Sequence, residues 1–264
     1  MQPIQIGEIP TEILEYVKNI NSIQFPRQGY TSDVGILESN QGIYVLKRAK
    51  GELFCSWLNK EASVLDCLSN ETNLPVPKAM KFVKQKQYDQ CWVLMEYIEG
   101  ETLRTAISNQ KNKNKRRELI FHFGNILSKI HSTPCPDRLK SERPWIDDML
   151  LHAEYNLNHY KVDGNKALLD KIKTNKPSMA KQALIHGDFT IDNVLVSNGV
   201  ISGIIDWSGG ANGDPRYDLS LAIRPKPNLF ENNLDREIFF EGYGEKILNN
   251  KEYDYFANGL NEFF

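Results

Sequence analysis

Three oxygen-bearing side chains in one short stretch of this sequence could bind a metal ion. Asp188 is followed five residues later by Asn193, and Asp206 comes after two runs of β-branched residues. Carboxylate and amide oxygens, together with phosphate oxygens, are the ligands that Mg²⁺ prefers. Because the set includes no His or Cys ligand, it favours a hard cation over zinc.

A β-hairpin is the element that would bring these side chains together. Asn198-Gly199 separates the two β-branched runs and is typical of a two-residue turn with positive φ at both positions. Side chains alternate between the faces of a strand, so counting outward from the turn puts Asp206 on the same face as Asn193. We therefore expect Asp188, Asn193 and Asp206 to share one small volume.

The spacing matches the phosphoryl-transfer apparatus of protein kinases. There a catalytic Asp precedes a metal-binding Asn by five residues, and a metal-binding Asp follows the next hairpin. In this sequence His186-Gly187-Asp188 replaces His-Arg-Asp, and Ile205-Asp206-Trp207 replaces Asp-Phe-Gly. These departures, with the later run from Gly213 to Leu219, resemble the aminoglycoside phosphotransferase and choline kinase superfamily, whose members phosphorylate small molecules.

The resemblance implies a role for each of these residues. Asp188 would be the catalytic residue that orients the acceptor hydroxyl and takes its proton. Asn193 and Asp206 would hold Mg²⁺, and ATP would donate the γ-phosphoryl group. His186 is interpreted as organising the loop, because a histidine base would compete with Asp188 for the same role.

A kinase-type site also needs a lysine on the third strand, paired with a glutamate on a helix. Lys47 lies in a β-rich run where that strand is expected, and Glu61 lies on a helix predicted from Glu52 to Ser69. Glu61 falls on the apolar stripe of this helix, where a carboxylate is costly unless a cation meets it. The sequence therefore predicts a contact between Lys47 and Glu61.

The predicted fold class is α+β, a bilobal protein-kinase-like fold with a small antiparallel-sheet lobe and a larger, mainly helical lobe. We expect residues 1–95 to form the nucleotide-binding lobe, residues 96–100 the hinge, and residues 101–264 the catalytic and substrate-binding lobe. By resemblance, Thr31 and Ser32 would contact phosphate groups in place of a glycine-rich loop. The Glu96 carbonyl and the Ile98 amide would meet the adenine edge.

For the acceptor, the chain looks most like the aminoglycoside 3′-type phosphotransferases. Its final residues are similar to their acidic terminus with Phe, whose carboxylates contact the ammonium groups of the drug. This implies that Glu262 and the Phe264 carboxylate bind a polycationic substrate. A macrolide kinase, or a metabolic kinase acting on choline, homoserine or a sugar, stays open.

Two alternatives outside the kinases are less favoured. A non-catalytic nucleotide-binding protein is expected to lack one of Lys47, Asp188, Asn193 or Asp206, and all four are present. A metallophosphatase normally needs several histidine ligands, and the five histidines of the chain form no such cluster.

Composition excludes other classes of partner. The net charge is −2 in 264 residues, and the one basic run, from Lys111 to Arg117, is short and interleaved with Asn, which disfavours nucleic acid as a partner. No apolar stretch approaches the roughly 18 residues of a membrane span. The N-terminus lacks the basic and apolar regions of a signal peptide. We expect a cytoplasmic protein that binds a small-molecule substrate.

Overall fold

The structure is a computed structural model of the chain that describes residues 3–26, 29, 31–224, 230 and 232–264. The chain forms two compact units. The smaller comprises Met1–Glu99 and Gly203–Ser208, and the larger comprises Gly100–Ser202 and Gly209–Phe264. Residues 203–208 thus group with the smaller unit, whereas the predicted division assigns residues 101–264 to the larger lobe. The predicted lobe bounds stay predictions.

The smaller unit contains one antiparallel sheet and two helices. Its strands are β1 (Ile20–Gln24), β2 (Asp33–Ser39), β3 (Gly42–Lys50), β4 (Ala79–Gln85) and β5 (Gln90–Glu96). Its helices are α1 (Thr11–Val17) and α2 (Glu52–Glu71). The spatial order of the strands is β1-β2-β3-β5-β4, so β3 is the central strand and has a hydrogen-bonded partner on each side.

Alternating side chains build the core of the smaller unit. Leu37 of β2 and Leu46 of β3 are fully buried, and they pack in one cluster with Trp92 of β5 and Ile13 of α1. Helix α2 buries one face, and Pro75 follows its end, where proline disfavours helix in the preceding residue. Because β3 is hydrogen-bonded to a strand on each side, the backbone that carries its side chains is held in place.

The larger unit is mainly helical. Its helices are α3 (Leu103–Asn109), α4 (Lys113–Ser132), α5 (Trp145–His159), α6 (Lys166–Thr174), α7 (Pro215–Ala222), α8 (Asn233–Tyr243) and α9 (Asn250–Ala257). Its short strands are β6 (Glu101–Thr102), β7 (Ala183–Ile185), β8 (Val194–Ser197), β9 (Val200–Ile204) and β10 (Ala211–Gly213). The end of β9 leads into the segment that groups with the smaller unit.

The predicted turn of the hairpin is confirmed. Strands β8 and β9 are joined by Asn198 and Gly199, whose φ angles are 52° and 79°. Strand β6 pairs with β8 on the other side, giving the order β6-β8-β9. Strands β7 and β10, which flank the β8–β9 hairpin in sequence, pair separately with each other.

The predicted α+β class is confirmed, with an antiparallel sheet followed by a mainly helical part. The sequence patterns do not predict β1, α1 or α6. Three of the five residues of β1 are Asn, Ser and Gln, which are weak strand formers, and α6 is only nine residues long. Within the part of the chain that the structure describes, no helix is long and apolar enough to cross a bilayer.

Helices α4 and α8 approach so closely that each needs a glycine at the crossing. A Cβ atom at Gly242 would meet the backbone carbonyl of Phe121, and one at Gly124 would meet the backbone carbonyl of Phe239. Backbone atoms cannot rotate away as a side chain could. The short distance between α4 and α8 therefore depends on glycine at positions 124 and 242.

Replacing Gly242 by alanine should lower the free energy of unfolding by about 1–3 kcal/mol, the usual cost of overpacking. The sign of this change tests the close approach, because alanine in place of glycine would stabilise an exposed helix by about 1 kcal/mol. Urea unfolding of Gly242→Ala measures the change. Gly7→Ala is the matched control, since nothing lies within 4 Å of a Cβ at Gly7. Equal or greater stability of Gly242→Ala would contradict the close approach.

Candidate active site

Lys47 and Glu61 form a buried ion pair in the smaller unit. Lys47 projects from the central strand β3, and its Nζ donates to Oε1 of Glu61 on α2 over 2.7 Å. The two side chains are only 9% and 5% exposed. The contact that the sequence predicted is present, and it explains how α2 can carry a carboxylate on its buried face.

Asp206 is the second carboxylate that contacts Lys47. The Lys47 Nζ also donates to Oδ1 of Asp206, which belongs to the segment Gly203–Ser208 of the same unit. The φ angle of Asp206 is 64°, in the left-handed region that few non-glycine residues occupy and that is often found at functional sites. A conformation of this kind persists only where the surrounding structure imposes it.

The charge state of Lys47 follows from these neighbours. Burial alone would lower the pKa of Lys47, but the carboxylates of Asp206 and Glu61 outweigh it and raise that pKa above its ordinary value. Lys47 is therefore a fixed positive charge at neutral pH. Lys47 contacts two carboxylates, so one of these contacts could be replaced by a contact with a phosphate oxygen while the other remains.

Asp188 and Asn193 contact each other in the larger unit. The Asn193 Nδ2 donates to the backbone oxygen of Asp188 over 2.8 Å and to its Oδ2 over 2.9 Å. The backbone amide of Asn193 donates to the Thr190 carbonyl over 3.1 Å, which closes the loop between them. Asp188 is exposed, whereas Asn193 is buried. The carboxylate of Asp188 therefore faces solvent, and its orientation is held by the buried side chain of Asn193.

Asp218 of α7 holds the backbone that precedes Asp188. Its fully buried carboxylate accepts from the backbone amide of His186 over 2.6 Å and from that of Gly187 over 2.8 Å. Gly187 has a φ of 82°, and a Cβ there would meet the backbone of Gly209. Only glycine satisfies both conditions.

His186 contributes to the same loop through its ring. The backbone amide of Asp188 donates to Nδ1 of His186 over 3.2 Å. The ring is fully buried, so it is unable to approach a substrate from solvent. This geometry agrees with the interpretation of His186 as a residue that organises the loop.

The oxygen atoms present fit a magnesium ion better than a transition metal. Both described hydrogen bonds of the Asn193 side chain use Nδ2, which leaves Oδ1 as the atom that could bind a cation. Among the described residues, no three His, Cys, Asp or Glu side chains form a cluster that could hold a metal ion. A cation here would need phosphate oxygens or water as further ligands, as Mg²⁺ usually does.

The remaining predicted nucleotide contacts lie in the smaller unit. Thr31 is exposed and Ser32 half-buried, directly before β2, whereas Gln28 and Tyr30 of the same predicted loop lie outside the described residues. Glu96 is the last residue of β5, and its backbone amide donates to the Lys78 carbonyl over 2.9 Å. Ile98, two residues further on, is beyond the paired part of the strand. Their roles stay predictions.

Glu262 already has a cationic neighbour. The Arg224 Nη2 lies 3.5 Å from Oε1 of Glu262, and the two side chains are 29% and 27% exposed. Phe264 is half-exposed, and its backbone amide donates to the Asn261 carbonyl. The predicted contact of Glu262 and Phe264 with the acceptor did not include Arg224 as a neighbour of Glu262, and it stays a prediction.

Tyr217 connects this end of the larger unit with Asp188. Its hydroxyl donates to Oδ1 of Asn261 over 3.3 Å. Burial raises the pKa of Tyr217, the charges of Asp188 and Asp218 raise it further, and Arg224 acts in the opposite direction. Asp188 and Arg224 are therefore both within electrostatic reach of one phenol group.

The structure thus brings together Lys47, Glu61 and Asp206 in the smaller unit, and Asp188 with Asn193 in the larger one. That all three oxygen ligands share one volume stays a prediction.

Comparison with known proteins identifies the family. A family model described as the phosphotransferase enzyme family matches residues 22–252, which include every residue of the two clusters. The chain belongs to this family. It is a small-molecule phosphotransferase.

Two curated relatives bear on the substrate of this phosphotransferase. The chain is 31% identical over 147 residues to a homoserine kinase from Neisseria meningitidis serogroup B, an alignment that covers 53% of this chain. The chain spans only 48% of that relative's length. It is 23% identical over 265 residues to an aminoglycoside 3′-phosphotransferase from Niallia circulans, and 97% of each chain is covered.

A solved structure supports the fold of this phosphotransferase. The GDP and kanamycin complex of APH(2")-IIia superposes with a TM-score of 0.67 at 19% identity, covering 94% of this chain and 87% of that one. At this identity the likeness establishes the fold alone.

Sequence analysis missed Asp218, although it noted the run that contains it. The signal was available: Asp218 stands between Tyr217 and Leu219, and both are buried. A buried carboxylate requires donors, which is the same reasoning that identified Glu61. Two of the contacts are with the backbone amides of His186 and Gly187, however, and no residue type in the sequence marks them. The third is with His131, whose Nε2 lies 3.3 Å from Oδ2 of Asp218, from a helix 87 residues away in the sequence.

Proposed function

We propose that this phosphotransferase transfers the γ-phosphoryl group of ATP to a hydroxyl group of an aminoglycoside. One observation carries the proposal. Asp188 projects to solvent from a loop whose backbone Asp218 fixes and whose carboxylate Asn193 orients. A carboxylate held in this way can position a hydroxyl and accept its proton, and positioning is a large part of catalysis of phosphoryl transfer.

The other side chains would act on the phosphate groups. Lys47 keeps its positive charge, so it would neutralise phosphate oxygens of the donor, while Glu61 holds its Nζ in place. Asn193 and Asp206 would hold Mg²⁺, which supplies further charge neutralisation when it is bound. Thr31 and Ser32 would contact the phosphates, and the backbone of Glu96 and Ile98 the adenine ring.

Two features support an aminoglycoside as the acceptor. The similarity to the aminoglycoside 3′-phosphotransferase extends over 97% of both chains, so it includes the part that would contact the acceptor. Glu262 and Phe264 would form that contact, and a carboxylate is suited to the ammonium groups of such a molecule. Arg224 would then compete with the acceptor for Glu262 and be displaced when it binds.

A zwitterionic amino alcohol such as homoserine is the second candidate, and the Arg224–Glu262 pair favours it. A guanidinium beside a carboxylate presents both partners that an amino acid needs, one for its carboxylate and one for its ammonium group. The homoserine kinase from Neisseria also has the higher identity of the two relatives, although over a shorter alignment.

The Arg224→Met variant should separate the two candidates by the direction in which KM changes. For a polycationic acceptor, removing the competing guanidinium should lower KM by up to about fivefold, the equivalent of an exposed ion pair of about 1 kcal/mol. For a zwitterion it should raise KM roughly tenfold or more, because a charge-assisted hydrogen bond is worth about 1.5–3 kcal/mol.

The measurement is steady-state transfer from magnesium-ATP to kanamycin, neomycin, erythromycin, choline and homoserine, for the wild type and for Arg224→Met. Turnover of kanamycin or neomycin with a lower KM in the variant supports the aminoglycoside proposal. Turnover of homoserine alone would replace it by the second candidate. Binding of ATP without transfer to any of these acceptors would contradict both.

A further inference from the structure

Arg104 binds the loop that carries Asp188 and Asn193. Its Nε lies 2.5 Å from Oδ1 of Asp192, and its Nη2 lies 2.6 Å from Oδ2, so the guanidinium and the carboxylate meet through two parallel contacts. The backbone amide of Arg104 also donates to the Ile191 carbonyl over 3.2 Å. One residue of α3 therefore contacts two consecutive residues of the loop, immediately before Asn193.

The start of α3 is also attached to the chain that follows Asn193. Thr102 caps the helix by accepting from the backbone amide of Thr105. In strand β6, Thr102 pairs with Leu195 of β8. Asn193 is thus enclosed by contacts to residues 191 and 192 before it and to residue 195 after it, all made from one continuous segment.

The geometry indicates that the pair of Arg104 and Asp192 orients the loop and adds little to the stability of the fold. The side chains of Arg104 and Asp192 are 25% and 44% exposed, and ion pairs between solvent-exposed side chains contribute little to the stability of a protein. A two-contact pair of arginine and carboxylate nevertheless fixes both groups in angle as well as in distance. It also neutralises a carboxylate that directly precedes the proposed metal ligand Asn193.

We propose that Arg104, through Asp192, is a positioning residue for Asn193 and hence for Asp188. The inference rests on the proposed function, because it takes Asn193 as a ligand of the metal ion. Without the guanidinium, the carboxylate of Asp192 would be released beside Asn193, and the loop between residues 188 and 193 would keep only the backbone contact of Arg104 with Ile191. The metal ligand and the catalytic carboxylate would then be held less closely in their productive orientation.

Two measurements test the proposal. The first is kcat for phosphoryl transfer by Arg104→Met, which should fall about 10–100-fold, the usual effect of removing a group that orients a metal ligand. The second is binding of Mn²⁺ in the presence of AMP-PNP, followed by electron paramagnetic resonance, for which the Kd should rise about tenfold. AMP-PNP binding in the presence of EDTA should be unchanged, since Arg104 is not placed on the nucleotide.

Matched variants separate positioning from folding. Lys140→Met removes the cation of an exposed ion pair with Asp137 in the same unit, and it should change neither measurement. Arg104→Lys keeps the charge but loses the two-contact geometry, so it should recover only part of the activity. The exchanged pair Arg104→Asp with Asp192→Arg should restore Mn²⁺ affinity relative to either single change.

Each outcome decides between the interpretations. Wild-type kcat and Mn²⁺ affinity in Arg104→Met would overturn the positioning role while leaving the proposed function intact. A lower melting temperature with wild-type Mn²⁺ affinity in the folded protein would also overturn it, in favour of a purely structural pair. If the wild type neither transfers phosphate nor binds Mn²⁺ with AMP-PNP, the proposed function itself fails, and the inference fails with it.

Discussion

Replacing Asp188 by asparagine should reduce kcat for phosphoryl transfer by about 10²–10⁴-fold, the range for loss of a general acid or base. Asparagine has nearly the same shape, and its amide oxygen can still accept from Nδ2 of Asn193, as Oδ2 of Asp188 does over 2.9 Å. It has no charge with which to orient a hydroxyl group or to take its proton. The change therefore removes the proposed chemistry and keeps the loop.

The prediction is specific because stability should hardly change. Asp188 is exposed, and substitutions at exposed positions usually alter the free energy of unfolding by less than about 0.5 kcal/mol. Melting temperature and ATP binding of Asp188→Asn should therefore match the wild type, while turnover is lost. Asp137→Asn, a change at an exposed acid whose side chain is 95% accessible, is the control. Retained turnover in Asp188→Asn would remove Asp188 from the catalytic role.

Replacing Lys47 by methionine should lower the free energy of unfolding by about 3–5 kcal/mol, which is the usual cost of breaking a buried ion pair from one side. The methionine side chain can fill much of the space of the lysine stem, but Glu61 would stay buried at 4% exposure without its cation. Asp206 would lose the same partner. Activity should fall as well, since Lys47 is the cationic side chain that is assigned to the phosphates.

A double variant distinguishes the two effects of Lys47. In Lys47→Met with Glu61→Gln no unpaired charge stays buried next to α2, so most of the lost stability should return. Phosphoryl transfer should not return, because the positive charge is still absent. Urea unfolding and steady-state kinetics of both variants measure this. Recovery of activity together with stability would mean that Lys47 serves only the fold of the smaller unit.

Much of the site could be predicted because local sequence carries its constraints. Asn198-Gly199 required a tight turn, and the φ angles of both residues are positive. Glu61 on the apolar face of a helix required a cation, and Lys47 provides it. The turn needs residues that tolerate positive φ, and the buried carboxylate needs a cation. Both requirements can be recognised from residue type and spacing.

Contacts between distant segments left no such signal. Arg104 and Asp192 are 88 residues apart in the sequence, and nothing in either segment specifies the other. Arg116 belongs to the basic run from Lys111 to Arg117, and its guanidinium binds the buried carboxylate of Asp235 on α8 over 2.8 Å. Charged side chains have many possible partners, so only the packing of α4 against α8 selects this one.

The residue types and their spacing were enough to predict the α+β class, the pair of Lys47 and Glu61, and the loop that joins Asp188 to Asn193. These features depend on periodicity, on turn chemistry and on the cost of burying a charge, all of which act over a few residues or along one element. Three contacts became visible only in the folded chain: Asp218 accepts from backbone amides of the loop, Arg104 contacts Asp192, and Arg224 lies beside Glu262. These contacts follow from which elements pack together, and that choice is made by the whole core and not by any segment of it.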